Sequence, residues 1–146
     1  MPYIEEQILI NGDIDRVFDI ASDMESYPTY MPDVESVTIL DCDENTTRTE
    51  WVTNVEGTPI IWIEIDEFDR AKYEIRYRLT EGDLDKFEGA WRFGRVGKQT
   101  KVTLGVDYDF GIPNLTELIG PTLDVKVREN SQMMLQGMKS FIENSS

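Results

Sequence analysis

Apolar and polar residues alternate at the start of the chain, recur at helical spacing, alternate again through most of it, and end at helical spacing. Tyr3 to Ile10 reads as a short strand, and Asn11-Gly12 ends it. Asp13 can cap a following helix in which Ile14, Val17, Phe18 and Ala21 form one apolar face. Asp23 to Met31 predicts a second short helix bounded by Pro32, with Pro28 tolerated only in its first turn. Six strand candidates follow: 34–40, 46–55, 60–68, 72–80, 84–96 and 100–110. Tyr73, Ile75, Tyr77 and Leu79 alternate with Glu74, Arg76 and Arg78. Val102, Leu104, Val106, Tyr108 and Phe110 alternate with Lys101, Thr103, Asp107 and Asp109. Turn signals at Glu56-Gly57-Thr58-Pro59, Gly82-Asp83 and Gly97-Lys98 separate several of them.

After Pro113 the period is helical again. Leu123, Val127, Met134, Met138 and Phe141 predict one face of a long C-terminal helix, with Gly120-Pro121 at its start or at a kink. Strands with one wet and one apolar face belong to an antiparallel sheet, and the last helix is the long apolar element available to cover it. The expected class is α+β. A curved sheet of seven antiparallel strands grips the C-terminal helix, and two short helices lie between the first and second strands. One helix cannot fill such a concavity, so an internal hydrophobic cavity is expected.

Composition narrows the function. The 146 residues are expected to form a single domain, with 14 Lys+Arg against 29 Asp+Glu and a net charge of −15. Forty per cent are apolar, too many for a disordered acidic chain. The charge argues against nucleic acid and anionic membranes as partners. Met1 to Gln7 shows no basic start and no apolar run, and Ile60-Ile61-Trp62-Ile63 is far too short to span a bilayer. A soluble, cytoplasmic protein with no stable membrane insertion is expected. The chain has no histidine, which removes the commonest general base and metal ligand. Its single cysteine, Cys42, stands among Asp41, Asp43 and Glu44, which disfavour a thiolate. No metal and no cofactor is expected. Asp41-Cys42-Asp43-Glu44-Asn45 fails as a calcium loop and Gly94-Arg95-Val96-Gly97-Lys98 fails as a phosphate loop, each lacking required positions.

Two blocks carry a resemblance: 15–23, Asp15-Arg16-Val17-Phe18-Asp19-Ile20-Ala21-Ser22-Asp23, followed by Tyr27-Pro28-Thr29-Tyr30-Met31-Pro32-Asp33-Val34, and Phe87-Glu88-Gly89-Ala90-Trp91-Arg92-Phe93. The chain resembles the START-type helix-grip superfamily (SRPBCC), in its polyketide cyclase/dehydrase and coenzyme Q-binding branch. The resemblance implies a helix-grip fold and a cavity for a lipid, polyketide or isoprenoid- or quinone-like molecule, used for carriage or catalysis. Aromatase/cyclase members of that family usually carry a cavity arginine on the fourth strand. Residues 60–68 contain none, and rough positional matching puts Asp66 in its place.

On that strand period two groups Trp62, Glu64, Asp66 and Phe68 on one face and Ile61, Ile63 and Ile65 on the other. Hydrophobicity alone turns the isoleucines inward; the resemblance turns the acids inward. In the second case Glu64 and Asp66 are the candidate proton-transfer groups, and the outward isoleucines need cover from a partner subunit, which makes a homodimer an option. Trp51, Trp62, Tyr73, Tyr77, Trp91, Phe93 and Tyr108, with Met31, Met134 and Met138, are candidate ligand-lining residues and equally good core residues. The leading reading is binding or carriage of a hydrophobic small molecule. The alternatives are a cyclase/dehydratase-like enzyme using the carboxylates and tyrosines, and an interaction module docking a basic protein.

Overall fold

The computed structural model describes residues 3–55, 58–82, 85–109 and 113–144, with backbone alone at 55, 58 and 113–124. Strand β1 (Tyr3–Ile10) leads into helix α1 (Ile14–Ser22), whose first turn is capped by the Asp13 carboxylate accepting from the Asp15 amide at 3.1 Å. Ile14, Val17, Phe18 and Ala21 are its buried residues, as the spacing predicts. A single 3-10 turn at Met24–Ser26 runs into α2 (Tyr27–Tyr30), with Pro28 in its first turn.

Six strands follow: β2 (Val34–Cys42), β3 (Thr46–Val55), β4 (Thr58–Asp69), β5 (Glu74–Gly82), β6 (Lys86–Val96) and β7 (Gln99–Asp109). They form one antiparallel sheet in the order β1-β7-β6-β5-β4-β3-β2. Helix α3 (Pro113–Asn144) covers its concave face, completing a helix-grip fold. The expected turn at Glu56-Gly57, residues Asp83 and Leu84, Phe110 and the Leu123 side chain lie outside what is described.

The sheet is irregular where it matters for the interior. The register of β4 on β5 slips between Ile63 and Glu64, leaving Thr80 as an extra residue on β5. Beside that bulge Gly82 adopts φ +143°, and a Cβ there would lie 2.5 Å from the Trp62 Cα. Only glycine lets β5 close over Trp62 at this point.

Strand β4 presents its acids inward. Trp62, Glu64 and Asp66 are buried, with Glu64 2% and Asp66 0% exposed, while Ile61 is 43% exposed. Hydrophobicity read alone turns this strand inside out. Ile63 and Ile65 are half-buried in the single chain. Ile63 lies opposite Glu50 and Glu81, and Ile65 opposite Arg48 and Arg78. Long charged side chains bury their apolar stems on such neighbours, which leaves less apolar area for a partner subunit to cover.

The buried face of α3 also differs from expectation. It is formed by Ser131, Met134, Leu135, Met138 and Ile142. Phe141 is 37% exposed and stacks on Tyr30 with ring centroids 4.5 Å apart. The helix begins at Pro113, so Gly120-Pro121 lies within it and does not start it.

Candidate functional site

The site is built from β3 and β4 outward. Trp51 and Trp62 are directly paired across these strands, as are Thr49 with Glu64 and Thr47 with Asp66. All six side chains belong to the inward rows set by period two. The two indoles stack with centroids 5.7 Å apart and planes 7° from parallel. Each indole also donates a hydrogen bond along its own strand. Trp62 Nε1 donates to Glu64 Oε1 at 2.7 Å, and Trp51 Nε1 donates to Thr49 Oγ1 at 2.8 Å. Thr49 passes its hydroxyl proton to Asp66 Oδ2 at 2.7 Å, and Thr47 donates to the same oxygen at 3.2 Å.

Asp66 Oδ1 is buried and receives no donor from any amide or hydroxyl. The Glu64 carboxyl lies within hydrogen-bond reach of Asp66. A proton on Glu64 resolves both facts by donating to Asp66 Oδ1. Burial is the main cause that holds the Glu64 carboxyl well above its ordinary range, and the neighbouring Asp66 charge pushes it the same way. Burial also raises Asp66, but the donors Glu64, Thr49 and Thr47 oppose the rise. The pair is therefore a protonated Glu64 hydrogen-bonded to an Asp66 carboxylate that three donors stabilise.

Glu64 opens onto a cavity between the sheet and α3. The sheet side is walled by Trp51, Trp62, Tyr77, Phe87 and Trp91, with Thr53, Leu104 and Val106. The helix side is walled by Val127, Asn130, Ser131 and Met134. No Lys or Arg is among these residues. The cavity volume is about 30 Å³, enough for a water or two and too small for a lipid or polyketide with the walls as they stand.

Of the residues the sequence points to, Trp51, Trp62, Glu64, Tyr77, Trp91 and Met134 meet at the cavity. Asp66 stands directly behind Glu64. Met31, Met138, Phe93 and Tyr108 are buried in the core away from the cavity wall. Tyr73 lies just before β5 at φ +51°, its ring against Phe18 and its hydroxyl donating to Asp15 at 2.8 Å, so it serves the α1 contact. The Tyr77 hydroxyl donates to the Gly105 carbonyl at 2.7 Å and the buried Tyr27 hydroxyl donates to the Ala21 carbonyl. Burial is the leading cause that raises both phenols well above their ordinary range. Their protons are committed to the backbone, which leaves the carboxyl pair as the cavity's proton-transfer chemistry.

Sequence reasoning missed Thr47, Thr49 and Thr53, although period two from Trp51 places them on its face. It also missed Asn130, whose Nδ2 donates to the buried Asp33 carboxylate and ties α3 to the loop after α2. Among the described residues no group of three or more acidic or sulfur ligands is placed to hold a metal ion. No described helix is long and apolar enough to cross a membrane.

A family model described as polyketide cyclase/dehydrase and lipid transport matches residues 10–135. The chain belongs to this family. Within the polyketide cyclase/dehydrase and lipid transport family, TTHA0849 from Thermus thermophilus superposes with a TM-score of 0.95 at 29% identity, over 99% of each chain. The ZhuI aromatase/cyclase from Streptomyces sp. R1128 shares the fold with a TM-score of 0.89 at 20% identity, over 97% of this chain and 93% of its own. The ribosome association toxin RatA of Pseudomonas aeruginosa is 24% identical over 120 residues, covering 82% of this chain and 83% of the toxin.

Proposed function

We propose that the protein binds or carries a hydrophobic small molecule between the sheet and α3. The observation that carries this reading is the aromatic wall of Trp51, Trp62, Tyr77, Phe87 and Trp91 facing the cavity. Aromatic side chains converging with one polar group is how apolar ligands are held and oriented. Family membership supports the same use, since the family's description includes lipid transport. The small closed volume means that entry displaces a wall. Native mass spectrometry of the purified protein tests the reading. A co-purifying hydrophobic mass, or saturable uptake of decanol, is expected; neither in any preparation overturns it.

The buried carboxyl pair favours a second reading, a cyclase/dehydratase-like enzyme with Glu64 as acid. Against it, a cyclisation through an enolate develops negative charge, and the cavity wall offers no cation to meet it. With a reactive poly-β-ketone we expect no turnover above background. Clear turnover lost in Glu64→Gln or Asp66→Asn would favour the enzyme. The likeness to a ribosome association toxin points to macromolecular contact. A chain of charge −15 is repelled by RNA phosphates, so any such contact would be made to basic protein.

A further inference from the structure

The cavity contains one feature that binding of a generic apolar molecule does not use. Its polar group is half of a pair that shares one proton and keeps one negative charge, and the wall supplies no Lys or Arg to neutralise it. A buried charge without a countercharge is costly. Threonine hydroxyls and the Glu64 proton reduce that cost with dipoles but leave the charge in place. Around the pair stand electron-rich faces: Trp51 stacked on Trp62, Phe87 with its centroid 5.0 Å from Trp62, and Tyr77 5.5 Å from Phe87.

An anion would be repelled by this arrangement. A neutral alcohol could donate to Glu64 but would leave the charge unmatched. A cation meets both the carboxyl pair and the ring faces. We propose that the cavity selects a lipophilic organic cation, an ammonium on an apolar body, with the charged head at Glu64 among Trp51, Trp62, Phe87 and Trp91. The proposal rests on the cavity-binding reading above and narrows its ligand class. Because the proton is shared, a cation beside Glu64 draws the charge toward itself. The proton moves from Glu64 to Asp66 Oδ1, the negative charge comes to Glu64, and no proton enters or leaves the pair.

The three tryptophans of the chain, Trp51, Trp62 and Trp91, all line the cavity, so intrinsic fluorescence reports on this site. The test titrates three probes of equal chain length below their micelle concentrations: decyltrimethylammonium, decanol and decanoate. Wild type should bind the cation about tenfold or more tighter than the alcohol, and the carboxylate weakest. In the Glu64→Gln/Asp66→Asn double variant, which removes the charge with little change of shape, the cation-to-alcohol ratio should fall toward one.

A second measurement does not depend on that variant folding. The acidic surface also attracts cations, but salt screens it and not the buried pair, so the wild-type preference should survive about 0.5 M NaCl. Decanol binding as tightly as the cation would overturn the proposal while leaving the cavity reading intact. A preference lost in salt, or kept in the folded double variant, would place the cation on the surface and also overturn it. No fluorescence response to any probe would remove the cavity reading itself.

Discussion

Asp33 sits where the loop after α2 meets α3, with Oδ2 taken by Asn130 and Oδ1 buried without a donor. Burial holds its carboxyl at about 6 against an ordinary value of 3.8. Between those pH values the folded chain binds more protons than the unfolded chain, so Asp33 subtracts stability as pH rises through the window. The loss is complete above pH 6 and absent below 3.8. Asp33→Asn keeps an acceptor for Asn130 and removes the titration. It should gain about 1–2 kcal/mol at neutral pH after allowance for solvent screening, and nothing at the acidic end. Urea melts across the window check this; an equal effect at both ends would show that the Asp33 charge is not the cause. Residues of this kind are poorly legible in sequence. Asp33 and Asn130 read as ordinary polar positions until a contact spanning most of the chain brings them together. Thr49 is different, because its face follows from Trp51 two residues on, but a threonine in a strand looks like solvent face.

At the scale of elements, β4 and α3 show why period alone falls short. Period two sorts β4 into two rows correctly. Which row faces inward depends on the cavity, and the apolar row lost because Ile63 and Ile65 find cover among flanking charged stems while Glu64 and Asp66 find partners inside. On α3 the inner stripe includes Ser131 and Leu135 and ends at Ile142, because the helix presents its last turn to β1 and α1 and leaves Phe141 at the margin on Tyr30. Gly137 fixes that orientation, since a Cβ there would stand 2.2 Å from the Tyr30 carbonyl oxygen. Three consequences can be read in denaturant melts. Ile142→Ala, at a fully buried site, should cost about 2–5 kcal/mol. Phe141→Ala should cost clearly less, about 1 kcal/mol, from loss of one stacked ring. Met134→Ala should cost less than Met138→Ala, because Met134 borders an existing void. A Phe141 loss as large as that of Ile142 would contradict the assigned face.

At the scale of the molecule, the question is how a cavity of about 30 Å³ admits a ligand many times larger. The sheet walls are held on both sides by backbone ladders: β4 is paired with β3 and β5, and β6 with β5 and β7. Moving them breaks hydrogen bonds. The helix wall is different. Val127, Asn130, Ser131 and Met134 face the cavity from an element whose backbone bonds are satisfied internally, so α3 can shift as a body with loss of side-chain contacts alone. Its C-terminal half is anchored by Leu135, Met138 and Ile142 and by the close approach at Gly137. Opening should therefore pivot on that anchor and lift the 125–134 stretch, with the Asn130–Asp33 bond as the contact to break. Decanol binding should change hydrogen exchange in α3 between Val125 and Met134 and in the Asp33 loop, with the core of β3 to β7 little altered. Asn130→Ala should speed decanol association several-fold by removing the bond that holds the wall closed. Stopped-flow tryptophan fluorescence measures that rate. An unchanged rate together with exchange altered mainly in β3 and β4 would mean that the ligand enters through the sheet edge instead.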